Sequence, residues 1–143
     1  MTWSTPTHVP DQLPTAVDRF NHWMSVDPIT GTVNVAFYDT RNDTTGFRYQ
    51  TDYYLASSTD GGATFSGSDT RVSTVSSNEH DCDGIFPCQG INYGNQQGDY
   101  EGLVSFSGVS YPIWTDSRRQ LEAASGCRRP FLMEEVFTAT LKQ

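Results

Sequence analysis

The sequence predicts an all-β fold, and three observations carry that expectation. Short runs of alternating apolar and polar residues recur along most of the chain, broken by Gly, Asn, Asp, Ser and Thr. Helix signals are scarce: one helix-like stretch, Ser117–Ala124, is present and it is short. A strand–turn–strand pattern occurs twice, around Gly31 and again around Gly108.

The elements follow in order. Thr5–Val9 is a first strand-like run. His22–Asp27 and Thr32–Asp39 read as a hairpin, with Val33, Val35 and Phe37 on one face of its second strand. The Asp27-Pro28-Ile29-Thr30-Gly31-Thr32 segment supplies the turn, because Pro28 fixes φ and Gly31 admits a positive φ. Tyr53–Ser58 is a third strand and Ser68–Val75 a fourth. Gly102–Ser107 and Val109–Thr115 form the second hairpin. Glu135–Leu141 closes the series, with Phe137, Ala139 and Leu141 on one side, and Trp23 and Trp114 are expected in the core.

These elements repeat. Phe37-Tyr38-Asp39-Thr40-Arg41 matches Ile113-Trp114-Thr115-Asp116-Ser117-Arg118 around an aromatic-x-Asp-Thr/Ser-Arg pattern, with the two Asp residues 77 positions apart. The strands that follow, Tyr53–Ser57 and Glu135–Ala139, align at an offset of 82, so the second connection carries about five extra residues. The insertion is placed at Leu121–Arg129. A repeated four-stranded meander is one blade of a β-propeller; a β-sandwich is the alternative. The expected organisation is a single partial-propeller domain over residues 1–143, with a first blade at 19–75, an insertion loop at 76–98 and a second blade at 99–141.

Composition narrows the partners. Lys and Arg number 9 against 17 Asp and Glu, a formal net charge of −8. Such a surface repels phosphate backbones and anionic lipid, so neither nucleic acid nor a membrane is expected as a partner. No apolar run nears the ~20 residues of a membrane-spanning helix. No basic-then-apolar leader opens the chain; an exported protein would have lost its signal or carried it upstream. Cys82 and Cys88 could close their polar loop as a disulfide, which would suit a secreted or periplasmic protein, leaving Cys127 over; three free thiols are the alternative. Asp81-x-Asp83-Gly84 opens like a calcium loop but lacks the later ligands, so a solvated loop is expected and no metal or other cofactor.

Ser58-Thr59-Asp60-Gly61-Gly62-Ala63-Thr64-Phe65 matches the Asp-box pattern, Ser-x-Asp-x-Gly-x-Thr-aromatic, at all five defined positions. Gly98-Asp99-Tyr100-x-Gly102-Leu103 and Trp114-Thr115-Asp116-x-Arg118 are further phrases of the same kind. On these residues the chain resembles the sialidase-like (BNR/Asp-box) β-propeller family, over about residues 19–141. The resemblance implies four-stranded meander blades of a six-bladed propeller, about two of them in this chain. It implies a structural Asp-box: Asp60 takes up the N–H groups of its own turn, Gly62 lets the chain turn, and Phe65 packs beneath.

In a meander the loop after the second strand lies opposite the Asp-box. Asp39-Thr40-Arg41 and Asp116-Ser117-Arg118 belong there, joined by Asp18, Arg19 and His22 in the first unit and Asp99, Tyr100 and Glu101 in the second. The resemblance implies a substrate carboxylate held by Arg41 and Arg118, with Asp39, Asp116 and His22 nearby, Tyr100 and Glu101 as the nucleophile pair and Asp99 as acid/base. Each Asp-x-Arg can equally be an ion pair fastening its own loop. Adjacent Tyr100 and Glu101 would face opposite sides of a strand, and no Phe/Tyr-Arg-Ile-Pro motif occurs, so the catalytic set is incomplete in this chain. The leading expectation is a secreted, glycan-directed, sialidase-like protein that hydrolyses or binds sialic-acid-type sugars, an exo-glycosidase if active. The alternatives are a non-catalytic carbohydrate-binding or adhesion module, and a structural self-assembling unit. In the last, Thr5–Val9 of one copy would complete the final blade of another, and three copies would close the ring; a fragment of a longer propeller is the other reading.

Overall fold

The computed structural model describes residues 2–9, 16–65, 67, 69–78, 101–121 and 131–143. Among them lie strands only, all paired antiparallel, in two sheets. The first contains β1 (Arg19–Val26), β2 (Val33–Asp39), β3 (Gln50–Ser58), β4 (Thr70–Arg71) and β5 (Ser77–Asn78), in the order β1-β2-β3-β4 with β5 also pairing with β3. The second contains β6 (Gly102–Phe106), β7 (Val109–Leu121), β8 (Phe131–Thr138) and β9 (Leu141–Lys142), in the order β6-β7-β8 with β9 also pairing with β7.

Both hairpins form where expected. The Asp27 carboxylate caps the first turn, accepting the N–H groups of Ile29 at 2.8 Å and Thr30 at 3.2 Å, and Gly31 takes φ +76°. The same carboxylate accepts the N–H of Gly108 at 2.6 Å, tying the two hairpin turns together.

Several expectations are corrected. Ser117–Ala124 is not helical where described: β7 runs through Leu121, its pairing with β8 overriding the local helix-favouring composition. Thr5–Val9 forms no strand, and the described part of the expected fourth strand, Ser68–Val75, is strand only over Thr70–Arg71, because the N–H groups of Val72 and Ser73 then both turn to the single Tyr53 carbonyl. The repeat after β7 shifts by one residue. Phe37 pairs with Tyr54 and Trp114 with Phe137, so the offset in the following strand is 83 rather than 82. In a strand that single step exchanges the two faces.

β2 is buried on both sides, which explains why six of its seven residues are buried. Val33 and Phe37 pack with Tyr54, Ala56 and Phe65 on its outer side. Ala36 and Tyr38, with Tyr53, Leu55 and Val72, pack against Leu103 and Trp114 of the second sheet. Phe137, Ala139 and Leu141 line that core together, though the expected strand Glu135–Leu141 is divided: β8 ends at Thr138 and Leu141 opens β9. Tyr53 stacks on Trp114 at 5.4 Å and meets Tyr38 edge-on at 4.9 Å. Trp23, by contrast, is 47% exposed, because a bulge between Phe20 and Trp23 breaks the alternation of β1. Polar groups inside the interface are paired across it. Asn34 Nδ2 donates to Ser105 Oγ at 3.1 Å. The Tyr38 hydroxyl donates to the Thr115 carbonyl at 2.7 Å and accepts the Thr115 N–H at 2.9 Å.

Candidate functional site

Strand direction brings Asp39-Thr40-Arg41 and Asp116-Ser117-Arg118 to the same end of the two sheets. β2 and β7 both run from the tied turns, past the Tyr38–Thr115 contact, toward their Asp residues. Each Arg is built into the same unit. Its backbone N–H and guanidinium both reach the Asp two residues earlier, and the guanidinium lies over an aromatic ring on the next strand. Arg41 stands 3.9 Å from the Tyr54 centroid, and Arg118 4.4 Å from that of Phe137. Those rings are stacked in turn on Phe37 and Trp114.

The guanidiniums are thus engaged within the chain. Arg41 also donates to Asp69 at 2.9 Å, and Arg118 to Thr74 Oγ1 at 2.8 Å. Burial opposes the charge of Arg41, but hydrogen bonds to Asp39 and Asp69 outweigh it and raise the pKa. At Asp69 burial prevails over Arg41 and raises the carboxyl. Asp39 holds a second cation, accepting Arg19 Nε at 2.9 Å. Directly across the β2–β3 pair lies Asp52, also fully buried, which accepts from Asn42, Arg71, Ser73 and Ser76. Asp52, Asp69 and Arg71 were invisible as partners in the sequence, since only the register puts them there.

A loop that sequence reasoning passed over projects from the same end. Between β2 and β3, the Asp43 carboxylate gathers the N–H groups of Gly46, Arg48 and Gln50 at 2.9–3.1 Å and the Thr45 hydroxyl at 2.7 Å. Burial would raise this carboxyl, yet Thr45 and the loop amides hold it well below the usual range. Arg48 adopts φ +62°, a left-handed conformation that a non-glycine residue holds only when its surroundings impose it. The result is a fixed display: Phe47, 71% exposed, stacks on exposed Tyr49 at 5.5 Å. Asn42 is exposed on the same loop, and Arg48 pairs from it with exposed Asp18, just before β1.

The remaining sequence-derived candidates are scattered. His22 does not join Arg41. It sits on the outer side of β1, lining a cavity of about 320 Å³ with Arg19, Phe20, Met24, Val35 and Phe37. The β1 bulge turns it there. Glu101 is buried near Tyr53; burial and then the Glu101 charge push the Tyr53 phenol far up, and burial does the same at Tyr38. Asp99 and Tyr100 lie outside the described residues, as do Asp81, Cys82, Asp83, Cys88 and Cys127. Among the described residues no cluster of three His, Cys, Asp or Glu side chains is arranged to hold a metal.

The Asp-box segment forms a closed turn after β3, at the end opposite Arg41. Asp60 Oδ1 accepts from Ser58 Oγ at 2.6 Å and from the Thr64 N–H at 2.9 Å, and Oδ2 from Thr64 Oγ1 at 2.7 Å. Gly62 takes φ +88° and donates to Ser58 Oγ, and Phe65 is buried beneath. The Ser58 and Thr64 bonds lower the Asp60 carboxyl from 3.8 to about 2. At Asp27 burial works upward, but the amides of Gly108, Ile29 and Thr30 prevail and also bring it to about 2. Both folded values are depressed, so their stabilisation is complete above about pH 3.8 and is lost as pH falls through about 2. Acid unfolding followed by circular dichroism should therefore steepen between those values. Asp27→Asn and Asp60→Asn should each flatten the dependence, and an unchanged profile would refute the assignment. Comparison with known family models, characterised proteins and solved structures finds no match for this chain.

Proposed function

We propose that the two sheets are consecutive blades of a sialidase-like propeller, and that the chain binds glycans rather than cleaving them. The observation that carries this reading is the exposed Phe47–Tyr49 stack on its Asp43-ordered loop. Aromatic faces take the C–H side of a pyranose ring, while the exposed Arg48–Asp18 pair beside them takes its hydroxyls. A loop already held in one conformation loses little entropy on binding. The Asp–Arg–ring units support the non-hydrolytic half of the proposal. Each guanidinium is already paired with a carboxylate of the chain, as a residue that fastens its loop would be.

A glycan array followed by calorimetry on the best hit tests this. Phe47→Ala and Tyr49→Ala should each weaken binding by about tenfold, some 1.4 kcal/mol, with the fold unchanged by circular dichroism. A fluorogenic sialoside should not be turned over. Turnover abolished by Arg118→Ala would replace the proposal with an enzyme, and binding untouched by both loop variants would remove the loop from it.

A further inference from the structure

The two sheets meet through a particular side of each, and the repeat identifies those sides. Through the correspondence of Asp39 with Asp116, the second sheet's Ser110 and Trp114 stand where Val33 and Phe37 stand in the first. The first sheet's Ala36 and Tyr38 stand where Ile113 and Thr115 stand in the second. The join within the chain is therefore head to tail: the Ala36–Tyr38 side of one unit receives the Trp114 side of the next. The two sides left outside the join are one of each kind.

Both are apolar. On the second sheet Val104, Phe106, Tyr111, Ile113 and Val136 are exposed together, Val136 by 70%, with register partners placing them on one face. Contiguous exposed apolar surface of this sort marks an interaction site. On the first sheet Met24, 61% exposed, borders the cavity of about 320 Å³ whose other walls include Phe20, Val35 and Phe37. By the repeat, Met24, Val35 and Phe37 correspond to Leu103, Pro112 and Trp114. Trp114 is the ring that Tyr53 covers inside the chain. The counterpart of Tyr53 in the second sheet is Val136, the most exposed residue of the open face.

We infer that the chain associates with further copies of itself head to tail, Val136 and Ile113 of one copy entering the Phe37–Met24 cavity of the next. The internal join supplies the geometry of the external one. Even the flank agrees: Val72 lies in the cluster of Trp114, and Val9 lies against that of Phe37. The Asn34–Ser105 pair of the internal join becomes Tyr111 against Val26 in the external one. Such a contact is heterologous and propagates into a ring or a filament. Strand exchange by Thr5–Val9 plays no part in it. The inference goes beyond glycan binding and does not depend on it.

Light scattering on a sizing column, across a dilution series, tests it. The unaltered chain should show a mass of two or more times 15.9 kDa. Ile113→Glu blocks one face and Met24→Glu the other, and each variant alone should run as a monomer. Mixed in equal amounts they should form a two-chain species, since each retains the face that the other lacks. Val136→Glu and Val26→Glu form a second pair should either first variant unfold. A monomeric unaltered chain, whose open faces then belong to some other partner, would overturn the inference. So would assembly that survives either block, or a mixture that stays monomeric.

Discussion

Trp114→Ala should destabilise the chain by about 3–5 kcal/mol, the usual cost of truncating a buried Trp, and should loosen the two sheets from one another. Trp114 is 4% exposed and is in contact with both halves of the molecule, stacking on Tyr53 of the first sheet and on Phe137 of its own. Its removal opens a cavity at the join itself, where Tyr38 and Tyr53 cannot collapse into it without giving up the Tyr38 bonds to Thr115. Urea unfolding followed by circular dichroism measures the loss. A cost below about 1 kcal/mol would mean that the sheets are held by something other than this aromatic stack.

Asp39→Ala should cost a similar amount, about 3–5 kcal/mol, because it leaves partly buried charges without their partner. Asp39 is fully buried and faces both Arg19 and Arg41. Without it, Arg41 keeps Asp69, but Arg19 loses its carboxylate and the loop loses the bond from the Arg41 N–H. Asp116→Ala should fall in the same range, since Arg118 is fixed in the same way. Stability that barely changes in both variants, together with gain or loss of glycan affinity, would show the arginines to be receptors rather than anchors. The two outcomes separate cleanly because anchoring reads out without any ligand.

Much of this was legible in the sequence because it is local. The Asp27–Thr32 turn, the alternation of β2 and the Asp-box turn each depend on residues a few positions apart, and each formed as its residue types dictate. What escaped depends on register or on a bulge. Trp23 reads as core by alternation, yet the kink at Asn21, φ +47°, ends the alternation before it. The one-residue shift of the repeat after β7 hid the equivalence of Tyr54 with Phe137, and with it the ring beneath each arginine. Ser117–Leu121 carries residues content in a helix, and only its pairing with β8 makes it a strand. The Phe47–Tyr49 display was hidden for another reason: nothing in those two residues announces it, and the carboxylate that arranges the loop stands several positions away.

The bonds that join the sheets also set the tempo of folding. Asn34 with Ser105, Tyr38 with Thr115 and Asp27 with Gly108 span 71, 77 and 81 positions of chain. Closing such long loops costs entropy before any contact returns it, which places all-β chains of this kind among the slow folders, at roughly milliseconds to seconds. Hairpins close short loops, so they are expected to gather before one sheet docks on the other. During refolding, strand signal in the far ultraviolet should thus return before the fluorescence of Trp114 does, and the interval between them is when the apolar faces stand open to the wrong neighbour.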